Sequence, residues 1–220
     1  MDVVIAGGHG KIALHLERLL SEEGHRVRAL IRNPDHADDV RERGAEPVLC
    51  DLEALEADAI AELIGRADAF VFTAGAGPGS GPQRKWTVDY GGAVKGIEAC
   101  RRNGIDRYVM VSAMGADPEA EDDGGFGTYL RAKGQADQKL MESGLAYTIV
   151  RPGALTNDPP TGRVRAAEHT GRGEIPRADV AAVLAAVLNT PAAAGLTFEV
   201  IAGDTPIDEA IAALVGGCSA

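Results

Sequence analysis

The chain has 220 residues, 45% hydrophobic, 25% charged and only 4% aromatic, which suits one α/β domain spanning 1–220 with an interior of Val, Ile, Leu and Ala. Its formal charge of −11 argues against nucleic acid or an anionic membrane as partner, because neutralising phosphates requires basic patches. With no apolar run long enough to span a bilayer and no basic leader, the expected location is the cytoplasm.

Val3-Val4-Ile5-Ala6 reads as a strand, Gly7-Gly8-His9-Gly10 as a turn, and Lys11 onward as a helix whose Ile12, Leu16, Leu19 and Leu20 share one face, with Gly24 as its stop. In the pattern Gly7-x-x-Gly10-x-x-Ala13, Gly7 permits the tight turn, Gly10 lets a pyrophosphate approach the backbone, and Ala13 lets helix and strand pack closely. The turn lies at a helix N-terminus, where unpaired N–H groups and the helix dipole favour a phosphate. Gly7, Gly8, His9, Gly10, Lys11 and Ile12 are therefore the first candidate cofactor contacts.

Arg26 to Ile31 alternates polar and apolar residues and forms the second strand, ended by Arg32-Asn33-Pro34. At this point of a dinucleotide fold an acid selects NAD and a base accepts the 2′-phosphate of NADP. Arg32 stands here, with Asn33 beside it, so NADP(H) is the expected cofactor. A solvated arginine at a strand end is the alternative. A short strand over 47–51 ends at Asp51-Leu52, and a helix is expected from Glu53 to Ile64, with Asp51 either near the adenine or capping that helix.

The fourth strand, Asp68 to Phe72, leads into a second small-residue loop, Thr73-Ala74-Gly75-Ala76-Gly77, suited to a ribose and diphosphate. Pro78 to Pro82 reads as a mobile loop, and Trp86 to Arg102 as a helix carrying Asp89, Tyr90 and Lys95. A fifth strand, Arg107 to Val111, delivers Ser112 to the C-terminal sheet edge, where ligands of open parallel sheets collect. The acidic run Asp117 to Gly125 reads as a flexible cover over that edge.

The next helix runs from Tyr129 to about Ser143, and Tyr129 and Lys133 share a face. An ammonium beside a phenol lowers the phenol's pKa and eases proton transfer near neutrality. A sixth strand, Leu145 to Val150, closes on Arg151-Pro152-Gly153. Residues 151–176 read as an irregular substrate-side loop, followed by a helix over Arg177 to Leu188, a last strand over Thr197 to Ile201 and a terminal helix over Ile207 to Val215. This alternation gives a doubly wound parallel sheet with helices on both faces.

Cys50, Cys100 and Cys218 suggest neither a disulfide framework nor a zinc site. The five histidines form no ligand-spaced cluster, so no metal is expected.

Taken together, Gly7-x-x-Gly10-x-x-Ala13, Arg32, Asp51-Leu52, Thr73 to Gly77, Asp89, Ser112, Tyr129-x-x-x-Lys133, Arg151-Pro152-Gly153 and Arg177-Ala178-Asp179-Val180-Ala181 give a chain that resembles the short-chain dehydrogenase/reductase superfamily. Within it, the likeness is to the atypical NADP-binding group close to extended-type epimerases. The resemblance implies a Rossmann fold with a small C-terminal substrate region. It also implies that Ser112 orients a carbonyl, Tyr129 moves the proton, and Lys133 binds the nicotinamide ribose and tunes the tyrosine. Asp89 stands where the family usually has a catalytic asparagine, and Pro152 and Gly153 join the implied cofactor contacts. About seventy residues follow the sixth strand, too few for the substrate lobe of a full epimerase. That favours an NADP(H)-dependent oxidoreductase acting on a small carbonyl, quinone or flavin. A nucleotide-sugar epimerase or dehydratase, or a non-catalytic NADP sensor, are the alternatives. The polar outer side of the Tyr129 helix points to a monomer or weak homodimer.

Overall fold

The computed structural model describes residues 1–77 and 79–217, so Pro78 of the expected loop and Cys218 lie outside the described residues. Eleven strands and eight α-helices are described: β1 (Asp2–Ala6), α1 (Lys11–Glu22), β2 (Arg26–Ile31), α2 (Ala37–Glu42), β3 (Glu46–Leu49), α3 (Ala57–Ile64), β4 (Ala69–Phe72), α4 (Pro82–Arg84), α5 (Gly91–Asn103), β5 (Arg107–Val111), α6 (Phe126–Met141), β6 (Ala146–Pro152), β7 (Ala154–Thr156), β8 (Arg163–Ala167), β9 (Glu174–Pro176), α7 (Arg177–Leu188), β10 (Leu196–Ala202), β11 (Thr205–Pro206) and α8 (Ile207–Gly217). A π-turn over Lys85–Tyr90 joins α4 to α5.

The main sheet has the order β11-β8-β10-β6-β5-β4-β1-β2-β3. The run from β10 to β3 is parallel, and the strand order reverses between β1 and β4, the switch point at which an open α/β sheet binds its ligand. Ala6 is paired with both Leu30 and Phe72, so the loops after β1, β2 and β4 leave the sheet at one level.

Alternate strand residues serve two cores, as the two-residue repeat requires. Val3, Ile5, Val71 and Val109 meet α1, α7 and α8 on one side, whereas Val4, Phe70, Phe72, Tyr108 and Met110 meet α3, α5 and α6 on the other. Phe70, Phe72 and Tyr108 are fully buried, and each such side chain contributes about 1.5–3 kcal/mol by leaving water.

Three expectations are corrected. Residues 151–176 are not irregular: β7 and β9 form a small parallel pair, and β8 joins the main sheet antiparallel to β10. The sheet is thus mostly rather than wholly parallel, with β8 and β11 forming an antiparallel edge. Gly/Pro-rich flanks hid β8, because its partner lies some thirty-five residues later in the chain. Nor does the third helix start at Glu53. It starts at Ala57, because Asp51 Oδ1 first accepts the amides of Glu53 (2.9 Å) and Ala54 (3.4 Å) and folds a separate turn.

Candidate active site

Gly7 has φ +84°, and a Cβ there would lie 2.7 Å from the Ala74 backbone. The two glycine-rich loops therefore touch at the switch point, which only a residue without a side chain permits. Thr73 ties them further, its amide and hydroxyl both donating to the Ala6 carbonyl (3.0 and 2.9 Å). The amides of Gly8 and Gly10 are spent on protein acceptors, Leu30 O of β2 and Gly7 O of the loop (2.9 and 2.8 Å). This leaves the first helical positions, Lys11, Ile12 and Ala13, as the amides without an intrahelical partner, and no side chain caps α1 at Gly10. The loop is thus held without side chains against the second glycine loop and faces an uncapped helix N-terminus, and the residues present fit a dinucleotide pyrophosphate.

A pocket of about 390 Å³ continues from this cradle past Arg32, Asn33, Asp51 and Leu52. Arg32 is 58% exposed and reaches Glu53 Oε2 at 3.2 Å. Asn33 is turned to its own backbone, accepting the Asp35 amide at 3.1 Å. His9 lines the same pocket, 2.7 Å from Asp39 and stacked on His36 with ring centroids 3.6 Å apart. Lys11 points away, to Asn157 Oδ1 at 3.3 Å. Pro152 and Gly153 line neither pocket. Gly153 is pressed against the Gly173 carbonyl and Ile201, and its amide donates to Val200 O at 2.9 Å, so these two residues shape the sheet.

On the other side of Thr73–Gly75 lies a second pocket of about 800 Å³ that gathers Ser112, Tyr129, Lys133 and Asp89. Its mouth is apolar, with Leu155 and Phe126, the latter 69% exposed. Lys85 also faces it, its Nζ donating to the Gly77 carbonyl at 2.8 Å and lying 5.4 Å over the Tyr129 ring.

Tyr129, Lys133 and Asp137 follow one another at four-residue intervals along α6 and share one face. Lys133 Nζ donates to Val111 O at 3.2 Å and pairs with Asp89 Oδ1 at 3.4 Å, both side chains being buried. Burial works to lower the Lys133 pKa, but Tyr129, Asp89 and Asp137 together raise it, so the ammonium persists through neutrality. Asp89 also accepts the Ala76 amide at 3.1 Å. It braces the second glycine loop and anchors the lysine. The wider π-turn carrying Asp89 is a feature that recurs at functional sites.

The lowered tyrosine pKa expected from the Tyr129–Lys133 pair is overturned. Burial raises the phenol's pKa, Lys133 lowers it, and Asp89 and Asp137 raise it again. Lys133 does act on the phenol, but burial, the largest influence, with the two carboxylates outweighs it.

Ser112 is buried, and its Oγ donates to Asp137 Oδ2 at 2.8 Å. Arg151 holds the same oxygen through Nε and Nη2, each at 2.9 Å. Asp137 was not singled out from sequence, although its place four residues after Lys133 signals the shared face. The acidic run Asp117 to Gly125 is tied to α6. The Asp117 amide donates to Leu130 O at 3.2 Å, Asp123 Oδ1 accepts the Gly125 and Thr128 amides (2.7 and 3.3 Å), and Thr128 Oγ1 donates to Asp122. Gly134 has a role here, because any Cβ at that mid-helix position would strike the Asp117–Pro118 backbone.

A glycine loop at an uncapped helix N-terminus on the β1/β4 switch point, a pocket beside β2 and a pocket gathering Ser112, Tyr129 and Lys133 at the same edge suit a Rossmann-type dinucleotide-binding protein. Residues 7–191 match the model of a family described as NAD(P)H-binding, and the chain belongs to that family. It is 40% identical over 212 residues to the Bacillus subtilis protein named as the uncharacterized sugar epimerase YhfK, covering 96% of this chain and 99% of that one. Among solved structures, a Bacillus halodurans protein provisionally named an NAD-dependent epimerase/dehydratase superposes with a TM-score of 0.90 at 38% identity, covering 97% of this chain and all of that one. ChuY of Escherichia coli O157:H7, named an anaerobillin reductase, superposes with a TM-score of 0.77 at 26% identity, covering 93% of this chain and 98% of that one. No helix among the described residues is long and apolar enough to cross a membrane.

Proposed function

We propose that the protein is an NADPH-dependent oxidoreductase whose acceptor is a small carbonyl, quinone or flavin. The observation that carries this reading is the pocket of about 800 Å³ in which Tyr129, Lys133 and Ser112 face the second glycine loop under an apolar mouth of Phe126 and Leu155. The buried polar side chains are gathered at the inner end, and the apolar side chains of Phe126 and Leu155 let a planar or compact acceptor gain by burying apolar surface.

The bound nicotinamide supplies the hydride chemistry. The chain positions and protonates. Lys11, Ile12 and Ala13 offer backbone amides to the pyrophosphate, Arg32 offers a guanidinium to the 2′-phosphate, and Lys133 offers its ammonium to the nicotinamide ribose. Tyr129 holds its phenolic proton through neutrality and gives it to the acceptor oxygen as charge develops there. Lys133 then lies beside the resulting phenolate. Ser112 has its hydrogen committed to Asp137, so it orients an acceptor through its lone pairs or through a re-aimed hydroxyl.

The test is NADPH consumption with a panel of aldehydes, quinones and flavins, run beside an epimerisation assay with nucleotide sugars. Turnover with the first group and none with the second supports the reading. Epimerisation with retained cofactor overturns it in favour of the sugar-modifying alternative. NADPH binding without any turnover favours a sensor.

A further inference from the structure

The ribose-side pocket contains a carboxylate where an incoming phosphate is expected. Glu53, on the turn after Asp51-Leu52, has a side chain 26% exposed. Its Oε2 accepts from Arg84 Nη2 at 2.7 Å, Arg84 Nε at 3.2 Å and Arg32 Nη1 at 3.2 Å, and its Oε1 accepts from Thr87 Oγ1 at 2.7 Å. Donors from the end of β2, from α4 and from the π-turn thus converge on one anionic group, and Arg32, Glu53 and Arg84 line the same pocket. Both arginines keep solvent-accessible surface. A guanidinium has five N–H donors, so the contacts to Glu53 leave others free on each.

This is the donor arrangement that a phosphate group uses: planar forks from two sides and a nearby hydroxyl. Arg32 and Arg84 face two carboxylates in this pocket, Glu53 and Asp51, so a phosphate monoester, which brings a charge of about −1.5 to −2, is held by the guanidiniums only in exchange for Glu53. An adenosine 2′-hydroxyl brings none, and a carboxylate is itself a partner for that hydroxyl.

We propose that Arg84 is a second ligand for the cofactor's 2′-phosphate beside Arg32, and that Glu53 is a resident carboxylate that gathers the two guanidiniums and yields to the phosphate when it binds. The proposal rests on the reading of this pocket as the adenosine end of the NADP(H) site. Glu53 then narrows the preference for NADP(H) over NAD(H), because its contacts to the arginines are lost only when the phosphorylated cofactor enters.

The experiment is calorimetric titration with adenosine 2′,5′-bisphosphate and with 5′-AMP, probes that need no turnover, on wild type, Arg84→Met, Arg84→Lys and Glu53→Gln, each checked for an unchanged thermal transition. Arg84→Met is expected to weaken the bisphosphate about tenfold while leaving 5′-AMP within about twofold. Arg84→Lys, which keeps the charge and loses the fork, falls between. Glu53→Gln is expected to tighten the bisphosphate severalfold and leave 5′-AMP unchanged or weaker. Equal effects of Arg84→Met on both probes, or none, overturn the second-ligand assignment. A Glu53→Gln variant that weakens the bisphosphate overturns the displaced-carboxylate assignment. Wild-type protein that binds neither probe overturns the cofactor reading and the proposal together, whereas bisphosphate binding indifferent to Arg84 overturns the proposal alone.

Discussion

Glu17 gives the most quantitative forecast. It lies on α1, the helix proposed to hold the pyrophosphate at its N-terminus, and it is fully buried, with neither carboxylate oxygen hydrogen-bonded among the described residues. Burial pushes its pKa up to about 8 from an ordinary 4.5, and Arg43 offsets this only in part. The folded chain therefore holds the Glu17 proton up to about pH 8, whereas the unfolded chain releases it near 4.5. A folded-state pKa raised in this way gives stability that is complete below the unfolded value and is lost as pH rises through the folded one. The loss is roughly 1.4 kcal/mol per pH unit across that interval, or about 4–5 kcal/mol by pH 8, an upper figure where the helix relaxes. Glu17→Gln keeps the shape and removes the titration. Its buried amide adds a cost that does not vary with pH, so the slope is the diagnostic. Urea denaturation of both proteins at pH 5, 6.5 and 8 should show the variant gaining on wild type by several kcal/mol between the extremes. Parallel stability profiles would refute the reasoning and place water or an unseen partner on the Glu17 carboxyl.

Four further outcomes follow, three from the site and one from the surface of α6. With a carbonyl acceptor, Tyr129→Phe should keep NADPH binding and lower turnover by roughly a hundredfold. Because the Tyr129 pKa is raised, the wild-type reductive kcat/KM should show no loss of the phenolic proton between pH 6 and 9, and a Tyr129-dependent alkaline limb inside that window would contradict this. Lys133→Met strands a buried Asp89 charge and should cost about 3–5 kcal/mol in chemical denaturation, with Lys133→Met/Asp89→Asn recovering much of it; strictly additive losses would show the pair uncoupled. Gln138 and Lys139 on α6 and Glu142 at its C-cap are exposed and polar, with Phe126 and Met141 as isolated exposed apolar side chains on the same helix, so light scattering should report a monomer or a dimer that dissociates on dilution.

The sequence by itself determined the elements whose signal is local. β2 and α7 occur at the expected residues, and the Gly7 turn, the second glycine loop and the Tyr129/Lys133 face were readable because strand alternation, glycine spacing and helical repeat act within a few residues. Only the tertiary structure decided which charges meet. Arg32 and Arg84 converge on Glu53 from 21 positions before it and 31 after it, Lys133 finds Asp89, and Ser112 and Arg151 share Asp137. None of these pairings leaves a periodic trace along the chain. The Tyr129 pKa departs from its local expectation for the same reason: helix spacing brings Lys133 to it, but the burial and the two carboxylates that together outweigh the lysine come from the packed sheet edge. The strand β8 has no local signal because its hydrogen bonds are completed by β10 and β11, far along the chain. Long-range pairing and desolvation are properties of the assembled fold, and no local pattern encodes them.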